Sequence, residues 1–92
     1  MTEQTGATET VRAKQGSQPN FNDVRVGIIR AGLKDGVPTA QLLLRSQEET
    51  QEVFLVEGEA VDLLGHGRLT VTGVHRGATP QDRTEVTLTW TA

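Results

Sequence analysis

Between Gln51 and Val74, three apolar runs (Val53–Val56, Ala60–Leu64 and Leu69–Val74) are separated by Glu57-Gly58-Glu59 and Gly65-His66-Gly67. Short apolar runs bounded by glycine-containing breaks predict strands joined by tight turns, here three consecutive antiparallel strands. In the first run Val53 and Leu55 share one face, and Phe54 and Val56 share the other. Two apolar faces predict a strand that is central in a sheet or stands at a sandwich seam. Val61 and Leu63 then resume the inward face. Leu69 and Val71 alternate with Thr70 and Thr72, and the apolar phase slips by one residue to Val74 across Gly73. A glycine at such a phase change predicts a β-bulge.

The same period of two recurs on either side of this stretch. Thr10–Gln15 reads as a short first strand, with Val11 and Ala13 on one face. After the turn cluster Gly16–Asn20, Val24, Val26 and Ile28 alternate with Arg25 and Gly27 within a strand over Asp23–Arg30, and Ile29 interrupts its polar side. Asp35-Gly36 supplies the positive-φ pair of a tight hairpin. Thr39–Ser46 follows, with Ala40, Leu42 and Leu44 on one face and Leu43 on the other. Its leucines also suit a short helix, but Pro38 and the Asp-Gly turn favour a strand. Gln47–Thr50 is a charged turn, and Gly77–Asp82 is a loop containing Pro80. In Arg83–Thr91, Val86, Leu88 and Trp90 face in against Glu85, Thr87, Thr89 and Thr91.

Six to seven short strands at this spacing predict an all-β fold, a small antiparallel β-sandwich or barrel. Its core is expected from Val24, Val26, Ile28, Leu42, Leu44, Val53, Leu55, Val61, Leu63, Leu69, Val71, Val86, Leu88 and Trp90. Residues 1–9 are polar and are expected to form a disordered tail before a single β domain over residues 10–92.

Composition narrows the chemistry. At 92 residues the chain has room for one modest core, so a small-molecule site is expected at the surface or at a subunit interface. The net charge of −3 disfavours non-specific binding to phosphate backbones. The absence of cysteine excludes disulfides, thiolate metal sites and cysteine nucleophiles. With no apolar signal-peptide core in the first ten residues and no run of bilayer-spanning length, the chain reads as cytoplasmic, without a membrane partner.

Each candidate chemistry has a plainer alternative. His66 and His75, with Glu57, Glu59 or Asp62, are of ligand type, but a nine-residue separation matches no ligand spacing and reads as ordinary surface histidines. Glu57, Glu59, Asp62, His75 and Asp82 are possible acids and bases, yet no nucleophile motif accompanies them, so no catalytic residue is assigned. Gly65-His66-Gly67 lacks the lysine and the strand-to-helix context of a phosphate loop. Phe21, Phe54 and Trp90 are the only aromatics, and Arg68, Arg76 and Arg83 would need to cluster for a nucleic-acid surface; that partner is therefore not favoured. The strongest functional hint is apolar. Ile29, Leu43, Phe54, Val56 and Leu64 fall on nominally outward positions, and gathered on one sheet they would form an interaction patch.

The order of segments resembles a domain of unknown function found in small actinobacterial proteins. The shared features are Lys14-Gln15-Gly16, the β-rich segment Val24–Ile29, the strand Ala40–Leu44 after a Gly/Pro turn, Gly58-Glu59 before an apolar pair, and Val86-Thr87-Leu88 near the end. This chain departs from the pattern in having Gly58-Glu59 where Gly-Asp is usual, and no tryptophan in the third core strand. The resemblance implies a small β-rich fold and carries no activity, cofactor or site residue with it.

These observations predict a non-enzymatic protein-interaction or assembly module without a cofactor or metal, paired with itself or with another protein. The alternative is a small-molecule-binding or auxiliary protein of a biosynthetic pathway, with a pocket formed by Leu43, Phe54 and Trp90.

Overall fold

The computed structural model describes residues 8–76 and 84–92. Eight strands follow one another: β1 (Thr8–Lys14), β2 (Asn20–Phe21), β3 (Val24–Lys34), β4 (Val37–Arg45), β5 (Thr50–Val56), β6 (Ala60–Asp62), β7 (Arg68–His75) and β8 (Glu85–Thr91). They form two four-stranded antiparallel sheets, ordered β1-β8-β7-β6 and β2-β3-β4-β5. The all-β sandwich expected from the alternation is present, with eight strands rather than six or seven and with open edges rather than a closed barrel. β1 begins at Thr8, inside the stretch expected to be a tail.

Alternation sets the core directly, because successive side chains of a strand point to opposite faces. Val24, Val26 and Ile28 of β3 and Ala40, Leu42 and Leu44 of β4 meet Leu69 and Val71 of β7 and Val86 and Leu88 of β8, all buried. Leu55 and Leu63 close the layer between the sheets, and Val53, Val61 and Trp90 pack partly against it. The extra strand β2 explains a residue that the sequence pattern left unassigned. Asn22 and Asp23 both take positive φ, 48° and 70°, and turn the chain tightly between Phe21 and Val24. Asp23 is thus a turn residue rather than the start of a strand, and the turn carries Phe21 into the core, fully buried.

Two bulges adjust the registers. The one in β7 falls where Gly73 predicts it: Val71 pairs with Leu88 and Gly73 with Thr87, leaving Thr72 as the extra residue. The other lies in β3, where Ile28 pairs with Leu42 and Arg30 with Gln41, leaving Ile29 unpaired. Beyond it β3 and β4 continue to the Asp35-Gly36 turn. Pro38 is tolerated in this strand because its nitrogen faces away from β3, toward Glu57 one residue past the end of β5, so the β3–β4 ladder loses no bond. Glu57 N donates to Pro38 O at 3.0 Å, and only the reciprocal bond is missing.

The three apolar runs of Gln51–Val74 do not form one continuous meander. β6 pairs with β7, but β5 belongs to the other sheet and is its edge. The chain changes sheet at Glu57-Gly58-Glu59, where Gly58 N donates to Val71 O (2.7 Å) and Val71 N to Glu59 O (3.0 Å). The two apolar faces of β5 therefore mark a strand at the seam, not a central one.

Candidate functional site

The outer faces of the two sheets differ in chemistry. On the β1-β8-β7-β6 sheet the face is lined by threonines that bond to one another. Thr89 Oγ1 lies 3.2 Å from Thr10 Oγ1 and 3.3 Å from Thr72 Oγ1, and the Thr72 hydroxyl donates to Thr87 O. His75 Nε2 meets Thr87 Oγ1 at 3.2 Å, and Arg12 pairs with Glu85 at 2.7 Å. This face is polar and largely self-satisfied.

The β2-β3-β4-β5 sheet presents the opposite character. Its register places Arg30, Gln41 and Phe54 in one row across β3, β4 and β5, and Gly32, Thr39 and Val56 in the next. Phe54 is 52% exposed, and Lys34 Nζ reaches over its ring, 4.7 Å from the centroid. Because Gly32 has no side chain, it leaves a hollow of about 450 Å³ bordered by Arg30, Lys34, Gln41 and Phe54 above the buried Thr39. Gln41 Nε2 donates to Glu52 Oε2 beside it. Among the described residues the one ion pair is Arg12–Glu85, so neither Arg30 nor Lys34 has a carboxylate partner.

Next to this face lies the edge of β5. Glu57 N points to β4, whereas Val56 N points away and donates to Glu59 Oε1 at 2.9 Å. In an antiparallel ladder this direction alternates, so Glu52 and Phe54 also turn their backbone groups away from β4. Among the described residues nothing bonds them there. The edge is open along Thr50–Phe54 and closed at Val56, whose carbonyl accepts from Glu59 N.

Of the expected patch, Leu43, Phe54 and Val56 share this outer face, and Ile29 joins it as the extra residue of the β3 bulge, beside Arg30. Leu64 does not. It sits in the turn after β6 at φ 52° and packs partly against the core of the sandwich. The pocket expected from Leu43, Phe54 and Trp90 does not form either, since Trp90 is on the inward side of β8 in the other sheet. Sequence reasoning missed Lys34 and Arg30. The available signal was Asp35-Gly36, because a two-residue hairpin sets the β3–β4 register.

The remaining candidates resolve into structural roles. Glu57 Oε2 accepts from Val74 N, Glu59 Oε1 from Val56 N, and Asp62 Oδ2 from Gly65 N, so each carboxylate caps a backbone amide. His66 lies in the turn just before β7 and His75 at the far end of that strand, and no group of three ligand-type side chains is present among the described residues. Arg68 and Arg76 are likewise separated by the length of β7, about 25 Å at strand rise. Phe21 is fully buried and offers nothing to a base. Asp82 and Arg83 lie outside the described residues. No helix among the described residues is long and apolar enough to cross a membrane. Comparison with protein-family models, with curated proteins and with solved structures gives no match for this chain.

Proposed function

We propose that this chain is a non-enzymatic interaction module that assembles through the outer face of the β2-β3-β4-β5 sheet and the adjoining edge of β5. The observation that carries the reading is Phe54, an aromatic half-exposed beside unpaired strand backbone. Natural β-sheets blunt such edges with charge, proline or a covering segment, and an aromatic left on one marks a place where another chain adds. The three capping carboxylates, each spent on a backbone amide, support the non-catalytic side of the proposal. The cysteine-free composition fits a reducing compartment, and we assign the module to the cytoplasm. Native mass spectrometry of the wild-type protein and of Phe54→Glu tests the reading. The variant is expected to remain folded and to lose the assembly. A variant that unfolds would instead make Phe54 part of the core and remove the patch.

A second reading rests on the hollow at Gly32. Arg30 and Lys34 border it without carboxylate partners, which suits a small molecule carrying an anionic group. Thermal-shift measurements with carboxylates and phosphate esters test it. A rise in melting temperature that Arg30→Ala removes would support this reading, and no shift across the set would end it.

A further inference from the structure

We propose that the partner at the β5 edge is a second copy of this chain, joined by antiparallel β5–β5 pairing about a two-fold axis at Val53. This deepens the interaction-module reading and rests on it. Of the two long edge strands, β1 carries three exposed charges, Glu9, Arg12 and Lys14, whereas β5 carries one, Glu52, beside the exposed Phe54. β2 and β6 are too short, at two and three residues, to template a partner.

The register follows from three facts. First, the outward backbone groups belong to Thr50, Glu52 and Phe54, so a partner must match them with its own even-numbered residues. Second, an axis at Glu52 sets that carboxylate directly against its own copy, and like charges in opposed positions destabilise a strand pair. Third, an axis at Phe54 requires Glu52 to bond to Val56, whose amide and carbonyl are already held by Glu59. An axis at Val53 removes the like-charge contact, pairs Glu52 and Phe54 fully, and confines the second conflict to Thr50, which alone faces the held Val56. It sets Glu52 of one copy opposite Phe54 of the other, twice, each pair exchanging both N–H···O bonds.

The side chains agree with that register. Glu52 and Phe54 both lie on the outer face, and a two-fold axis perpendicular to the sheet keeps them on one side. Opposed side chains have Cβ atoms about 5 Å apart. The Glu52 carboxylate of one copy thus arrives beside the Phe54 ring of the other, the ring over which Lys34 Nζ is held. The unpaired ammonium and the incoming carboxylate are complementary at both ends of the interface. The interface joins the two β2-β3-β4-β5 sheets into one eight-stranded sheet and closes on itself, since an isologous contact uses the same surface of both copies.

The chain contains no cysteine, so single substitutions report the register directly. Val53→Cys, Glu52→Cys and Phe54→Cys are oxidised mildly and run without reductant. At a Val53 axis the two Val53 positions form a pair not hydrogen-bonded across the interface, with Cα atoms about 4.5 Å apart, within the range a disulfide spans. Val53→Cys is expected to cross-link and the other two are not. A cross-link at Glu52→Cys or Phe54→Cys instead overturns the register while leaving the module reading intact. If native mass spectrometry finds a dimer and no variant cross-links, the copies meet elsewhere and the inference fails. A monomer at every concentration removes the second copy as partner and leaves the module reading to a different protein. Because Val53 is half-buried, the wild-type chain supplies an independent check. Amide exchange at Glu52 and Phe54 is expected to slow as concentration rises, and concentration-independent exchange there overturns the proposal.

Discussion

The indole Nε1 of Trp90 donates a 2.8 Å hydrogen bond to the backbone carbonyl of His66. The same carbonyl accepts from Asn22 Nδ2 at 3.2 Å. Trp90 is on β8 of one sheet and Asn22 is in the β2–β3 turn of the other, so one peptide oxygen ties both sheets at one end of the sandwich. Trp90→Phe keeps most of the packing and removes the stronger donor. A net loss of about 1 kcal/mol is expected, lowering the melting temperature by about 5 °C in a domain of this size. Circular dichroism measures it, since the substitution removes the only tryptophan.

Gly67 and Gly73 are predicted to respond oppositely to alanine. A Cβ at Gly67 would lie 2.5 Å from Trp90 Nε1 and 2.6 Å from Thr91 O, at a φ of 116° that a side chain rarely adopts. Backbone cannot swing aside, so Gly67→Ala is expected to cost at least about 2 kcal/mol. At Gly73 the obstruction is His75 Nε2 at 2.7 Å, the free end of an exposed side chain. Gly73→Ala is expected to displace that ring from Thr87 and to cost less than about 1 kcal/mol. Urea denaturation followed by tryptophan fluorescence compares the two, and equal losses would contradict this account.

The two phenylalanines separate core from surface. Phe21→Ala empties a fully buried site and is expected to cost about 3–5 kcal/mol, much of the stability of a small domain. Phe54→Glu replaces a half-exposed ring with a carboxylate beside Lys34 and is expected to change monomer stability by no more than about 1 kcal/mol, while setting like charges against Glu52 of the second copy and abolishing assembly. Denaturant midpoints and native mass spectrometry on both variants test this in one experiment.

Charge reversal tests the paired ends of the proposed dimer. Lys34→Glu or Glu52→Lys alone places like charges together at both ends of the interface. Each is expected to weaken dimerisation about 5- to 30-fold, as each of the two partly exposed ion pairs contributes about 0.5–1 kcal/mol. The double reversal restores complementarity and is expected to recover most of the affinity. Sedimentation equilibrium at low salt measures all four proteins, and a double variant no better than its parents would show that the two side chains do not meet.

The candidate site was partly legible in the residues. Leu43, Phe54 and Val56 fall on one outer face because a period of two assigns them there whatever the strand pairs with. Leu64 follows the same apolar pattern, but a left-handed turn residue obeys no strand period, so its side chain goes elsewhere. The cationic half of the site, Arg30 and Lys34, was hidden by the bulge at Ile29. Alternation counted from Val24 puts Arg30 on the inward face, and the extra residue turns it outward.

What the chain determined by itself is local. Alternation set the inward faces of the strands, Gly73 marked its bulge, and Asp35-Gly36 marked its hairpin, because these depend on steric preferences within a few residues. Which strand lies beside which was decided only by the tertiary structure. β1 pairs with β8 across almost the whole chain, and β5 leaves β6 to become an edge, because the apolar inner faces of both sheets are buried only when the two sheets close on each other. That closure turns Phe54 from one apolar residue among many into an exposed aromatic beside open backbone.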